Sequence, residues 1–125
     1  VAVSPNLSTK VLEEASSKAM PFVSGVATPT EIGMGIEMEL DTFKFFPAEM
    51  IGGMRYLKRV FAPYAHKNVQ FIPLGGITGE LIPEYTSENF VLALGGSWIS
   101  DIELIQRKNW QKITQNAQQA KALVR

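Results

Sequence analysis

Five short apolar segments recur along the chain at nearly even intervals. They are Val1–Ser4, Phe22–Val26, Thr42–Phe46, Val69–Pro73 and Phe90–Leu94, and their starts lie 21, 20, 27 and 21 residues apart. Each interval has room for one strand, one helix and the loops between them. The stretches between the segments carry helical patterns. Leu7–Met20 opens with candidate caps at Asn6 and Ser8 and places Val11, Leu12 and Ala15 at helical spacing. Thr28-Pro29-Thr30-Glu31 offers a threonine cap, a proline at the first helical position and a glutamate at the third. Met54–Phe61 is entered through Gly52-Gly53, Leu81–Thr86 makes a short helical turn, and Asn109–Val124 puts Trp110, Ile113, Ala117, Ala120 and Val124 on one stripe. Strands alternating with helices imply a parallel sheet covered by helices. The continuous apolar runs "VQFIP" and "FVLAL" fit strands buried on both sides. Two architectures remain: an open five-stranded α/β sheet, or the last five units of a (β/α)8 barrel, which needs roughly 200 residues or more. The chain's 125 residues are one domain's worth.

Composition excludes several classes. Twelve basic and twelve acidic residues cancel, where a nucleic-acid binder would show a basic stripe. No stretch approaches the ~18 consecutive apolar residues of a membrane span. Without cysteine there is neither a disulfide framework nor a thiolate metal site. His66 is the single histidine and falls in an expected surface loop, Pro63–Asn68. No charged and then apolar leader is visible at the N-terminus. The expectation is a soluble cytoplasmic protein without nucleic-acid or membrane partners.

Lys44 breaks the pattern. It lies within Phe43–Phe46, a run that reads as a buried strand, and lysine is almost never fully buried unless something pairs with it or uses it. Alternation puts Thr42, Lys44 and Phe46 on one face. If that face lines a barrel, desolvation favours the neutral amine, a nucleophile for carbonyls that gives a Schiff base. A lysine buried beside a carboxylate for structural reasons fits the pattern equally well.

Two glycine pairs follow the last two apolar segments, in "LGGITGE" and "LGGSWIS". Each combines Gly-Gly, a hydroxyl residue and a short helical segment. Paired glycines let backbone N–H groups converge on an anion, and a helix N-terminus adds positive dipole. In (β/α)8 barrels the loops after the seventh and eighth strands commonly hold phosphate. A single Gly-Gly would be no more than a tight turn. Two of them after consecutive strands, one followed by Ser97, favour phosphate.

These residues together resemble the KDPG/KHG aldolases, the 2-keto-3-deoxy-6-phosphogluconate and 4-hydroxy-2-oxoglutarate aldolases. "FKFFPAE" (Phe43–Glu49) is similar to the family's Schiff-base motif. "VSPNL" (Val3–Leu7) is similar to its VSPGL or VTPGL segment, and "SGVATPTE" (Ser24–Glu31) to its PGVATPTE. "FIPLGGIT" (Phe71–Thr78) resembles its PTGGI loop, and "LGGSW" (Leu94–Trp98) its GGSW loop. The resemblance implies a class I aldolase on a (β/α)8 barrel that needs no metal or other cofactor and works as a homotrimer. Lys44 falls on the Schiff-base lysine. Pro5 falls on a proline lining the substrate site, and Gly75, Gly76, Gly96 and Ser97 on the phosphate loops. Leu74 stands where the family has a threonine that helps choose substrate stereochemistry, and Asn6 where glycine is common.

The resemblance further implies that residues 1–125 are the C-terminal part of one barrel domain, strands four to eight. The family's first three βα units, with the glutamate that moves protons and the arginine and threonine that hold the pyruvoyl carboxylate, have no counterpart here. Glu49 is expected to cap or orient its loop rather than to replace that glutamate. Such a piece has open sheet edges at Val1–Ser4 and Phe90–Leu94, and edges invite pairing. The alternatives are a non-catalytic half-barrel that at most binds phosphate, and a phosphate-binding isomerase or epimerase, which has no need of a strand lysine between phenylalanines.

Overall fold

The computed structural model describes residues 1–124. Four parallel strands make one sheet, β1 (Ala2–Val3), β2 (Phe22–Val26), β3 (Thr42–Phe45) and β4 (Gln70–Pro73), ordered across the sheet as they are along the chain. Helices α1 (Thr9–Ser17), α2 (Pro29–Glu37) and α3 (Gly53–Phe61) connect them. After β4 come α4 (Ile82–Thr86), α5 (Ile102–Gln106) and α6 (Trp110–Leu123). Single 3₁₀ turns at Glu49–Ile51, Ala62–Lys67, Gly79–Leu81 and Ser97–Ser100 fill in between. His66 is exposed, in the second of these turns rather than in an irregular loop. None of the described helices is long and apolar enough to cross a membrane.

Sequential parallel order has a consequence for layering. Right-handed crossovers between successive neighbours place every connection on the same face of the sheet. Phe43, Phe45 and Phe71 accordingly pack into one cluster with Ile32 of α2, Met54, Leu57 and Val60 of α3, and Tyr85 of α4. The Phe43 and Phe71 rings lie 5.9 Å apart, and Phe61 stacks on Phe90 at 4.2 Å. The opposite face is lined, from β1 to β4, by Val3, Val23, Gly25, Thr42, Lys44, Gln70 and Ile72, which share registers or alternate with the buried set. Val3 is exposed, while Thr42, Lys44, Gln70 and Ile72 are half-buried. The sheet is therefore two-sided: a core under the helices and an open face.

The helix signals act as local chemistry requires. The Glu31 carboxylate accepts the N–H groups of Thr28 (2.9 Å) and Ala27 (2.7 Å), satisfying two donors at the start of α2 ahead of Pro29. Asn109 caps α6 by accepting the Lys112 N–H at 3.2 Å.

Three expectations change. The fifth strand, Phe90–Leu94, is reduced to a single bridge between Phe71 and Val91. Phe71 N–H donates to Phe90 C=O and Leu92 N–H to Phe71 C=O, at 2.7 and 2.9 Å. The next donor on β4 would be Pro73, which has no N–H, so the ladder stops there. The two edges are consequently short, a two-residue strand and an irregular segment, which limits their capacity to pair. The expected apolar stripe of α6 is mostly outside the core, with Trp110 57% exposed. The residue α6 buries is Asn116, because the helix rests on backbone carbonyls of the Ser97–Ser100 turn rather than on the sheet.

Two predictions follow from buried polar groups. Ser24 is fully buried on the helix side of β2, and its hydroxyl has no hydrogen-bond partner among the described residues. An unmet buried hydroxyl costs about 1–3 kcal/mol. Ser24→Ala should therefore raise stability by about 1 kcal/mol in chemical denaturation, and a comparable loss would show that the hydroxyl is bonded. Tyr85 is fully buried and donates to Glu49 Oε1 at 2.5 Å. Burial first, then the bond to and charge of Glu49, push its phenol well above the ordinary 10.0. The folded state thus holds the proton after the unfolded chain has lost it. This stabilisation is complete below pH 10.0 and is lost as pH rises from there through the folded-state value. Melts across that window should show Tyr85→Phe declining less steeply than the parent.

Candidate functional site

The candidate site residues Pro5, Lys44, Gly75, Gly76, Gly96 and Ser97 stand toward or just beyond the carboxyl ends of the strand segments, where open and closed parallel sheets alike bind ligands. Lys44 is the third of four residues in β3, on the open face between Gly25 of β2 and Ile72 of β4. It is half-buried rather than buried, because the buried face of β3 is taken by Phe43 and Phe45, each 0% exposed. Its Nζ lies 4.5 Å from the centroid of the Phe46 ring, close enough for a cation–π contact.

Pro5 comes to this place through backbone. The chain leaving β1 folds over Gly25, whose N–H donates to Asn6 C=O at 3.3 Å. A Cβ at Gly25 would stand 2.2 Å from the Pro5 carbonyl carbon. Only glycine leaves room for the Pro5–Asn6 turn beside Lys44. An isolated glycine in a strand is the sequence signal for such an approach.

The first glycine pair is built into the turn that follows Lys44. Ala48 N–H donates to Leu74 C=O at 2.8 Å, and Glu49 N–H to Gly75 C=O at 3.0 Å. Gly75 and Gly76 have φ of +99° and +81°, a region that L side chains rarely adopt. A Cβ on Gly75 would sit 3.1 Å from the Phe46 ring, and one on Gly76 only 2.8 Å from Glu49 Cβ. Contacts thus run from Lys44 through Phe46 to the glycine loop. The Glu49 carboxylate is turned away, toward Tyr85 and the start of α3, where a Cβ on Gly53 would stand 2.8 Å from Oε1. This agrees with a role in orienting the loop.

The second glycine pair lies against the first. A Cβ on Gly96 would be 2.7 Å from Ile77 C=O and 2.5 Å from the Trp98 ring. Trp98 also packs over Gly79, so its indole fills the space between the two loops. Ser97 is exposed and opens the four-residue 3₁₀ turn. Neither loop leads directly into a long α-helix, so the helix dipole expected there is small. What the loops offer an anion is backbone N–H groups and the Ser97 hydroxyl. Asn116 holds this turn from behind, its amide donating to the carbonyls of Trp98 (3.3 Å) and Ile99 (3.2 Å). Tyr85 and Asn116 carry no signal in the sequence, since each acts through a residue far away in the chain.

A cavity of about 450 Å3 lies nearby, between α4, the segment 91–96 and α6, lined by Ile82, Leu92, Leu94, Trp98 and Ala120 among others. Lys44 is not part of its lining. The strand positions of the open face carry no carboxylate.

Comparison with known proteins agrees with the motifs. The family profile "KDPG and KHG aldolase" matches residues 1–116. The KHG/KDPG aldolase of Escherichia coli K12 is 34% identical over 119 residues, 95% of this chain and 55% of that protein. The KDPG aldolase of Zymomonas mobilis ZM4, solved with 3-phosphoglycerate, superposes with a TM-score of 0.85 at 35% identity, covering 98% of this chain and 56% of the other. The Legionella pneumophila KDPG aldolase, with pyruvate captured as a covalent carbinolamine, gives 0.85 at 33% identity and the same 98%, against 57% of its own length. The chain thus spans a little over half the length of these relatives. With the motifs in order and the backbone superposing throughout, the chain belongs to the KDPG and KHG aldolase family.

Proposed function

We propose that this chain carries the Schiff-base half of a class I aldolase that cleaves KDPG to pyruvate and glyceraldehyde 3-phosphate, and also 4-hydroxy-2-oxoglutarate to pyruvate and glyoxylate. The observation that carries the reading is Lys44, standing on the open face of β3 with the Pro5 turn on one side and the glycine loop on the other. The Lys44 amine, once it has given up its proton, adds to the C2 ketone to give a carbinolamine, and loss of water gives the iminium. As a base takes the C4 hydroxyl proton, the C3–C4 bond breaks, its electron pair flows to the iminium, and the aldehyde leaves. Protonation of the enamine at C3 and hydrolysis release pyruvate and restore the amine. Gly75, Gly76, Gly96 and Ser97 hold the 6-phosphate through backbone N–H groups and the hydroxyl. Pro5 lines the substrate site.

Residues 1–125 are, in this reading, the C-terminal part of a (β/α)8 barrel domain that assembles as a homotrimer. Sequential strand order with helices on one face is the barrel arrangement, whereas a doubly wound sheet reverses at a switch point. The proton-moving glutamate then belongs to an N-terminal segment closing over the open face. This supplies the general acid–base step, worth roughly 10²- to 10⁴-fold in rate, for which the open face has no carboxylate. That same lack favours the alternative, a half-barrel that binds phosphate without turnover, for the case in which no such segment is present.

Borohydride reduction in the presence of pyruvate, followed by peptide mass spectrometry, should find the adduct on Lys44. Lys44→Arg should abolish trapping, because guanidinium stays charged. An adduct on a different lysine would end the assignment. Ser97→Asp should raise KM for KDPG about 10- to 100-fold, since a hydrogen bond to a charged group is worth about 1.5–3 kcal/mol. Unphosphorylated 4-hydroxy-2-oxoglutarate should be much less affected, and equal losses on both substrates would remove Ser97 from the phosphate site.

A further inference from the structure

The Glu49–Tyr85 pair bears directly on what the glycine loop can bind. Glu49 cannot move away from the loop, because its N–H is bonded to Gly75 C=O and its Cβ is packed against Gly76. Its carboxylate is therefore within a side chain's reach of the backbone N–H groups that would receive an anion. Two directions are open to it: outward, across the mouth of the loop, or inward, beneath it. In the structure it points inward. Oε1 accepts the Tyr85 hydroxyl at 2.5 Å, and the carboxylate sits against Gly53, at the N-terminal turn of the nine-residue helix α3, where the dipole favours negative charge. Tyr85 is 0% exposed and rides on α4, the helix reached from this same glycine loop through the Gly79–Leu81 turn. The bond thus ties the Lys44 strand's turn to the element after the loop, and it joins residues 36 apart in the chain.

We propose that Tyr85 is a positioning residue that holds the Glu49 carboxylate beneath the Gly75–Gly76 loop, keeping negative charge out of the loop's mouth and so setting the preference for a phosphorylated over an unphosphorylated substrate. The inference rests on the assignment of that loop to phosphate. The upward shift of the phenol keeps Tyr85 protonated, and hence a donor, at neutral pH, where phosphate is largely a dianion. Tyr85→Phe preserves the buried ring and removes the donor. The freed carboxylate can then turn outward and repel phosphate at close range.

The test uses the whole protein chain. In Tyr85→Phe, KM for KDPG should rise about 10-fold, with kcat little changed and kcat/KM for 4-hydroxy-2-oxoglutarate within about 2-fold of the parent. Inorganic phosphate provides a readout that needs no turnover: its binding, followed by Trp98 fluorescence in a Trp110→Phe background, should weaken in the same proportion. Adding Glu49→Gln to Tyr85→Phe removes the charge and should restore both phosphate affinity and KM. Equal losses on the two substrates, or a double variant no better than the single, would mean that Tyr85 only supports the fold and would overturn the proposal. Unchanged phosphate affinity in Tyr85→Phe would overturn it as well. Failure of pyruvate trapping at Lys44 would instead defeat the aldolase reading, and the phosphate measurements would then decide this inference by themselves.

Discussion

Alternation along β3 is the constraint on which the rest depends. Phe43 and Phe45 are drawn into the cluster under α2 and α3, and the two-residue period of a strand then fixes Lys44 on the opposite face. Burying each phenylalanine is worth about 1.5–3 kcal/mol. A one-residue slip would expose both rings and push Lys44 into the core, so the register is strongly held. Hydrogen bonding on both sides reinforces it, since β3 pairs with β2 through three residues and with β4 through four. The lysine owes its place to its neighbours' hydrophobicity, not to a partner of opposite charge.

The loops take their shape from the same strand. The turn after Phe46 is bonded to the turn after β4 by Ala48→Leu74 and Glu49→Gly75, so the glycine pair is fastened to the chain leaving Lys44. Close approach of these two turns is possible because Gly76 and Gly53 leave space that Glu49 fills. The second loop is held less by backbone pairing than by side chains, with Trp98 wedged between the loops and Asn116 bonded behind them. This explains how an ordered site stands beside a segment, Phe90–Leu94, that makes only one bridge to the sheet. Shape at this end of the molecule comes from glycine contacts and a few buried polar bonds.

Local chemistry made much of this legible. The Thr28–Glu31 start of α2, the glycine-led entry to α3, the capping of α6 by Asn109 and the four strands all stand where propensity and period place them. Failures occurred where distant chemistry intervenes. The apolar run Phe90–Leu94 has strand composition, yet its ladder depends on donors from β4, and Pro73 has none to give. The stripe on α6 has helical period, yet Ala120 and Val124 border a cavity rather than a filled core, Trp110 is exposed, and a polar residue off the stripe is the one buried.

The sequence by itself determined the alternating α/β layout, the parallel sheet, the family and the candidates Lys44, Pro5, Gly75, Gly76, Gly96 and Ser97. These are properties of period, of turn stereochemistry and of short motifs, each complete within a few residues. Only the tertiary structure decided that one face of the sheet is open, that Lys44 is half-buried upon it, that Glu49 turns inward to Tyr85, and that Asn116 supports the Ser97 turn. The reason is range. Propensity acts over one turn or one strand, whereas burial and hydrogen bonding between residues 17 or 36 apart exist only after the layers have closed on one another.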